Sequence, residues 1–181
     1  MNSISRFYIC VQSNLFYIRG REKVLAKEVE KICNRDDLRL VLLPIGFAAN
    51  HDDNFALKRL KKYINLDTIY FEELNIYEIM YIIAKSNFFA GTSLHGNITA
   101  MSYGVRHIGL NKEITKLDEY LKTWDLELQN HCINFEDLSE EYEKIKSIND
   151  EDLISKKNEL INLNLSNMKN IFGLLEDVYN E

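Results

Sequence analysis

The residues best suited to chemistry stand together in one stretch, positions 88–110, FFAGTSLHGNITAMSYGVRHIGL. Between its apolar start and the helical run that follows lie small and polar residues: Gly91, Thr92, Ser93, His95, Gly96 and Asn97. Backbone N–H groups at a helix start attract phosphate or carboxylate, and glycine lets a ligand approach the backbone closely. Thr92 and Ser93 add hydroxyl donors, and His95 can donate a hydrogen bond or a proton. The turn therefore predicts an anion site.

A structural interpretation of the same turn is equally consistent with the sequence. Ser93 would cap the helix, Gly91 would make the turn, and His95 would be a polar residue with ordinary partners. Any strand-to-helix turn needs residues of these types. The residues alone leave both interpretations open.

The elements around this turn alternate between buried strands and amphipathic helices. Short apolar runs predict strands at 7–11, 40–44, 68–71, 87–90, 107–110 and 131–135. Helical spacing of apolar residues predicts helices at 21–33, 55–63, 76–84, 96–103 and 115–124. Strands that are apolar throughout need both faces of their sheet covered, which right-handed crossover helices provide. The fold class is therefore α/β, a doubly wound parallel sheet of the Rossmann-like kind, with the turn at its carboxyl edge.

The tail of the chain differs from the part before it. We expect a Rossmann-like domain over residues 1–147 and a helical tail, one long helix or two short ones, over 148–181. The tail carries an apolar stripe of Ile154, Ile161, Leu165, Met168, Phe172 and Leu175. Such a stripe is too costly to leave in water. We expect it to be buried, first on its own domain and otherwise against a second chain.

Composition excludes several classes of protein. The chain has 181 residues, 46% of them hydrophobic, enough for one globular domain with a real core. Its formal net charge of -6 argues against a nucleic-acid partner. Three widely spaced cysteines suggest neither a disulfide framework nor a metal site, which favours the cytoplasm. The start has no secretion signal, and no apolar run is long enough to cross a membrane.

Other polar residues have a structural interpretation that we favour. Asp52 and Asp53 precede an apolar helix, as N-cap residues do. His107 and His131 lie in or beside strands, where a packed histidine is more common than a ligand. The acidic stretch 136–143 is typical of a solvated face.

Taken in order, several short motifs resemble the polysaccharide pyruvyl transferase family. They are LLPIG with Pro44, HDD with Asp52 and Asp53, the turn GTSLHG through His95 and Gly96, GV at Gly104 and Val105, and then Lys116. The resemblance covers roughly residues 7–126, and the SLHG turn is its most specific part. It implies the fold of one domain of a GT-B-type enzyme.

The resemblance also implies an activity: transfer of a pyruvyl group from phosphoenolpyruvate to a sugar hydroxyl as a ketal, in cell-surface polysaccharide synthesis. His95 would then be the catalytic residue, as general acid or hydrogen-bond donor to the developing charge. The donor-binding residues would be Gly91, Thr92, Ser93, Gly96, Asn97, Lys116 and Arg19. No cofactor is implied, and the partners are the phosphorylated donor and a sugar acceptor.

The chain departs from the family pattern in three places and in length. Ser93 stands where the family often has arginine, Arg106 replaces a proline, and VQSN after the first strand offers Asn14 and only later Arg19. A GT-B enzyme also has two α/β domains around its cleft, whereas this chain has room for one. A second chain or an amino-terminal domain would have to supply the other half.

Two other functions fit the same residues. One is a glycosyltransferase domain that binds a nucleotide sugar, since that class shares the fold and also binds phosphates at a helix start. The other is a non-catalytic remnant that serves as an assembly partner. Ligand-induced stabilisation by phosphoenolpyruvate, by a nucleotide diphosphate or by neither separates the three.

Overall fold

The computed structural model describes residues 7–47 and 53–179, with side chains through residue 173. In this part of the chain, six parallel strands form one sheet in the order β3-β2-β1-β4-β5-β6. The strands are β1 Tyr8–Gln12, β2 Arg39–Leu42, β3 Thr68–Tyr70, β4 Phe88–Gly91, β5 Arg106–Leu110 and β6 Cys132–Ile133. This order and the parallel pairing confirm the predicted doubly wound α/β sheet.

Helices follow the strands along the chain. They are α1 Leu15–Ile18, α2 Glu22–Asp36, α3 Asp53–Lys61, α4 Ile76–Lys85, α5 Leu94–Ser102, α6 Thr115–Trp124, α7 Leu138–Lys146 and α8 Asp150–Tyr179, with a 3₁₀ turn at Phe135–Asp137. The start of α4 shows how the sequence fixes these bounds. The Asn75 side chain accepts hydrogen bonds from the Tyr77 and Glu78 N–H groups. The Glu78 carboxylate in turn accepts one from the Asn75 N–H, which completes a capping box.

Both faces of the sheet are buried, as the apolar strands require. Ile9 and Val11 in β1 point to one side, where α2, α3 and α7 pack. Cys10, between them, points to the other side and packs with α4 and α5. Since successive strand residues alternate between faces, an all-apolar strand supplies both cores.

The structure has two helices, α1 and α7, that the sequence analysis does not predict. The four-residue α1 has no periodic pattern of its own and is held by Asn14, whose side chain accepts from the Phe16 N–H at 2.8 Å. The acidic stretch 136–143 runs into α7 and is only partly solvated. Tyr142 is buried there while Glu140 and Glu143 remain exposed. The stretch is therefore one face of an amphipathic helix.

The tail is one long helix that is fixed to the domain at its start. The Arg106 guanidinium donates to the Ile148 carbonyl at 2.6 Å and pairs with Asp150 at 2.7 Å. Leu153 is buried, and its backbone lies against Gly104. Arg106 is thus the residue that anchors α8.

Beyond this anchor the prediction of burial within the chain is wrong. Side chains of the stripe are exposed, from 42% at Ile161 to 57% at Phe172. The physical reason is that α8 extends beyond the surface of the domain on which it begins. Every residue from 161 to 173 is therefore exposed. Leu175 lies outside the described side chains. Burial against a second chain stays a prediction.

Candidate functional site

The strand order places a crevice between β1 and β4. Gln12 and Gly91 are paired at the carboxyl ends of these strands. Beyond them the chain leads from β1 to α1 and α2, and from β4 to α5 on the opposite face of the sheet. Loops that diverge in this way leave room for a ligand, the usual binding place in open α/β sheets.

A cleft of about 720 Å³ occupies this position. The residues that line it come from the ends of β1, β2, β4 and β5: Gln12, Asn14, Phe16, Tyr17, Ile45, Gly46, Phe47, Asp53, Thr92, Ser93, Leu94, His95, Ile114 and Lys116. The predicted placement of the 91–97 turn, between a parallel strand and a helix start at this edge, is confirmed.

The bottom of the cleft is a hydrogen-bonded cluster of Gln12, Thr92 and Asp53, which we call the cleft floor. The Gln12 side-chain carbonyl accepts from the Ser93 N–H at 2.9 Å and from the Thr92 hydroxyl at 3.3 Å. Its amide group donates to the Asp53 carboxylate at 2.8 Å. One buried side chain therefore joins three separate segments of the chain.

Asp53 holds the loop after β2. Its carboxylate accepts from the backbone N–H groups of Ile45 and Gly46, at 3.0 and 2.8 Å. Asp53 is the first residue of α3, and these bonds reach back along the chain to the loop after β2. Its role as the N-cap of this helix stays a prediction. The preceding Asp52 lies outside the described residues.

The start of α5 supplies the donors that face the cleft. Ser93 is the N-cap, and its hydroxyl oxygen accepts from the Gly96 N–H at 3.2 Å. The structural interpretation of Ser93 thus holds, yet its hydroxyl proton stays available to a ligand. Within the described residues, the N–H groups of Leu94 and His95 have no acceptor either. A helix start with open donors favours an anion.

His95 and Lys116 stand on two different helices around this cleft. The His95 side chain is exposed in the first turn of α5, and Lys116 is exposed in the first turn of α6. In the described part of the chain, Lys116 forms no ion pair. The structure therefore brings together Thr92, Ser93, His95 and Lys116 of the predicted site.

Four predicted site residues do not line the cleft. Gly91 and Gly96 have a packing role, since a Cβ at either position would lie within 2.7 Å of the Phe89 ring. Asn97 is fully buried, and its amide donates to the carbonyls of Gly91 and Ser93, at 3.0 and 2.9 Å. Arg19 is exposed at the carboxyl end of α1, away from the lining. These residues shape the turn or lie outside it.

Sequence reasoning missed the cleft floor and the aromatic side of the cleft. Gln12 is an ordinary residue at a strand end, and only the pairing of β1 with β4 puts it under the turn. Phe16, Tyr17 and Phe47 follow β1 and β2, so their positions at two strand ends were the available signal. Aromatic rings on one side of a cleft suit the apolar face of a sugar.

A second titratable cluster is buried at the amino edge of the sheet. His107 Nδ1 lies 2.9 Å from the Val105 carbonyl, and its Nε2 lies 3.2 Å from the Asp125 carboxylate. Because both ring nitrogens face acceptors, the imidazolium fits here best. Burial opposes the charged form, but Asp125 and the carbonyl outweigh it, so the pKa of His107 is raised. His131 is also buried beside Asp125, so both histidines are packed as predicted.

We expect this pair to stabilise the fold most at mildly acidic pH. Burial alone would raise the pKa of Asp125, but His107 and other donors hold it well below the usual range. The contribution of Asp125 is present above about pH 4 and is lost as the pH falls through its lowered folded pKa. That of His107 is present below about pH 6.5 and is lost as the pH rises through its raised folded pKa.

Asp125→Asn should therefore lower the free energy of unfolding by about 2 kcal/mol near pH 6 and by less at pH 9. Urea denaturation of the native chain and of Asp125→Asn between pH 6 and pH 9 measures this difference in the free energy of unfolding. Asp67→Asn, at an exposed position, serves as the control. It should change the free energy of unfolding by a small amount that does not depend on pH. An Asp125→Asn gap that does not change with pH would contradict the assignment.

Within the described residues, no helix is long and apolar enough to cross a bilayer. The same residues hold no group of three or more His, Cys, Asp or Glu side chains arranged to bind a metal ion.

Solved structures share this fold. The spinosyn forosaminyltransferase SpnP matches with a TM-score of 0.55 and 11% identity, over 86% of this chain and 39% of that one. The UDP-GlcNAc 2-epimerase from Neisseria meningitidis bound to UDP-GlcNAc gives a TM-score of 0.49 and 14% identity, over 90% and 45%. The first similarity confirms the predicted Rossmann-like domain of GT-B type. The chain spans less than half the length of either protein.

Sequence comparison gives the family. No curated protein matches the chain significantly. The sequence profile described as polysaccharide pyruvyl transferase matches residues 5–112, more than half of the chain. This match spans β1 to β5, the cleft floor and the 91–97 turn, and it confirms the resemblance seen in the motifs. The chain belongs to the polysaccharide pyruvyl transferase family.

Proposed function

We propose that this chain is the donor-binding domain of a pyruvyl transferase, and that it binds phosphoenolpyruvate in the cleft between β1 and β4. One observation carries the proposal: the open donors at the start of α5 share a cleft with His95 and Lys116. A phosphate and a carboxylate on one small molecule need several donors from more than one direction. The starts of α5 and α6 lie at one edge of the sheet and provide donors from two directions.

The reaction consumes the donor in a simple balance. Two hydroxyl oxygens of a sugar bond to C2 of the enolpyruvate, and the bond between C2 and the phosphate oxygen breaks. One hydroxyl proton goes to the methylene carbon, which becomes a methyl group, and the other leaves with the phosphate. His95 would donate a proton or a hydrogen bond as charge develops on the phosphate. Lys116 would pair with a carboxylate or phosphate oxygen.

The acceptor would occupy the aromatic side of the same cleft. About 720 Å³ is more space than phosphoenolpyruvate alone needs, and Phe16, Tyr17 and Phe47 line the remainder. A sugar hydroxyl placed there would lie beside the donor. The other wall of the acceptor site would come from an amino-terminal domain or a second chain.

The cysteines fit a reducing compartment. All three are free and buried, and burial raises the pKa of the Cys33 and Cys132 thiols to about 12. Thiols of this kind are unreactive. Free cysteines support the proposal that the reaction takes place in the cytoplasm.

Binding measured by calorimetry tests the proposal. We expect phosphoenolpyruvate to bind the chain, and His95→Ala and Lys116→Ala each to weaken binding about tenfold, because each removes a charged or strongly polar partner. Lys112→Ala is the matched control, since Lys112 is exposed close to α6 but does not line the cleft. Equal affinities for all four proteins would contradict the proposed site.

A nucleotide-sugar donor is the second candidate. The aromatic lining and the volume of the cleft also suit a nucleoside, and SpnP shows that the fold occurs in a glycosyltransferase. Stabilisation by a nucleoside diphosphate but not by phosphoenolpyruvate would select it. Stabilisation by neither would favour a non-catalytic assembly role.

A further inference from the structure

The long helix α8 has an apolar surface that its own domain does not cover. After the buried Leu153, all residues from 161 to 173 are exposed. Five large apolar side chains along one side of it are exposed by 42 to 57%: Ile154, Ile161, Leu165, Met168 and Phe172. Soluble proteins rarely leave such a continuous surface in water, so it marks a contact with another molecule.

The spacing of these residues specifies what kind of surface fits them. Ile154, Ile161 and Met168 are seven residues apart, and so are Leu165 and Phe172. The two series alternate in steps of four and three, which is the repeat of a coiled-coil seam. Asn158 occupies the position one heptad before Leu165, so the second series begins with one polar residue.

We propose that α8 pairs in parallel with α8 of a second copy of this chain, through the seam Ile154, Asn158, Ile161, Leu165, Met168 and Phe172. This inference is independent of the proposed function, because it uses no residue of the cleft. A single asparagine at such a position fixes the register and the two-stranded state of a parallel coiled coil, where it faces its own copy. Antiparallel pairing would place Asn158 opposite an apolar residue and leave its amide without a partner.

Area and charge agree with a second copy. Five half-exposed large side chains present about 500 Å² of apolar surface per chain, so two chains bury about 1,000 Å², the lower limit of a specific interface. In parallel register the flanking Lys157 faces Asn162 of the other copy, and Lys169 faces Asn164. No like charges meet across the seam in these pairs.

Light scattering after gel filtration tests the pairing. We expect the chain to be dimeric at about 100 μM and to dissociate on dilution, as an interface of this size implies. Leu165→Glu should weaken the dimer about 100-fold or more, because it puts two carboxylates into the seam. Leu163→Glu is the matched control, as Leu163 is equally apolar, 40% exposed and on the opposite side of the helix.

The two variants also guard against loss of folding. Both substitutions lie past the anchor of α8, so both proteins should keep the melting temperature of their sheet domain. A chain that is monomeric at 100 μM would overturn the proposal and leave this surface to another protein or domain. Equal dissociation by Leu163→Glu and Leu165→Glu would overturn it as well.

Oxidative cross-linking tests the parallel register. The three native cysteines are buried, so a cysteine introduced on α8 is the accessible thiol among the described residues. Met168→Cys should give a disulfide-linked dimer on mild oxidation, because in the parallel seam the two copies of this residue face each other and Asn158 is retained. Asn167→Cys, on the outer side of the helix, should not. A dimer in which neither cysteine, or only Cys at position 167, cross-links would overturn the parallel seam.

Discussion

Replacement of Asp53 with alanine is expected to lower the free energy of unfolding by about 3 kcal/mol, because it removes the acceptor of one buried and two half-buried donors. The Gln12 amide and the N–H groups of Ile45 and Gly46 all donate to one of its oxygens. Each donor left unpaired in a buried place costs about 1–3 kcal/mol. Water from the open cleft will accept hydrogen bonds from some of these donors. The expected loss of stability is therefore smaller than the sum of the three separate penalties.

The same substitution should also affect the cleft. Gln12 holds the Ser93 N–H at the start of α5, so its release loosens the turn that carries His95. We therefore expect weaker phosphoenolpyruvate binding together with lower stability. Chemical denaturation and calorimetry measure the two effects on one sample.

The control for this prediction is Asp67→Ala. Asp67 is 92% exposed and pairs with Arg39 at 3.7 Å, so its loss should change stability by less than about 0.5 kcal/mol. Equal effects at Asp53 and Asp67 would show that the cleft floor does not stabilise the domain.

The sheet could be predicted from the sequence because each strand carries its own signal. A strand buried on both faces must be apolar throughout, and the runs at 40–44 and 87–90 have no other simple interpretation. The last strand shows the limit of this signal. An apolar run at 131–135 predicts a strand, but β6 pairs only through Cys132–Ile133, since Phe135 already belongs to the 3₁₀ turn before α7.

From the residues alone, the site could be predicted only where they are close in sequence, and Lys116 was predicted from the family resemblance. The turn from Gly91 to Asn97 is local, and its glycines, hydroxyls and histidine are visible together. The cleft floor is not local, because Gln12 meets Asp53 41 residues later and Ser93 81 residues later. Contacts over such distances depend on strand order, which no single segment encodes.

The tail shows a third case, in which the pattern was clear but its partner was not. An apolar stripe indicates that one face of a helix must be covered, but it does not identify the surface that covers it. Arg106 and Leu153 fix the start of α8, and thereby direct the rest of the helix away from its own domain. A departure from the family's usual residue, arginine for proline, accounts for that anchor.

Gly109→Ala is expected to destabilise the domain by about 3 kcal/mol, although it adds a single methyl group. Gly109 is the fourth of the five residues of β5 and pairs with Cys132 in β6. An alanine Cβ would overlap the Cys132 Sγ and would lie 3.1 Å from both the His131 carbonyl oxygen and a methyl of Leu117. Two of these neighbours are buried side chains and one is backbone, so the strand itself must move.

A double variant identifies the cause of the loss. Cys132→Ala removes the overlapping sulfur, so Gly109→Ala should cost at least about 1 kcal/mol less in that background than in the native chain. Gly173→Ala is the matched control for the glycine itself, because nothing lies within 4 Å of a Cβ there, and it should not destabilise the protein. Urea denaturation of the four variants measures these differences. A cost at Gly109 that is the same with and without the Cys132 sulfur would place the strain in the backbone pairing of β5 with β6, and not in side-chain overlap.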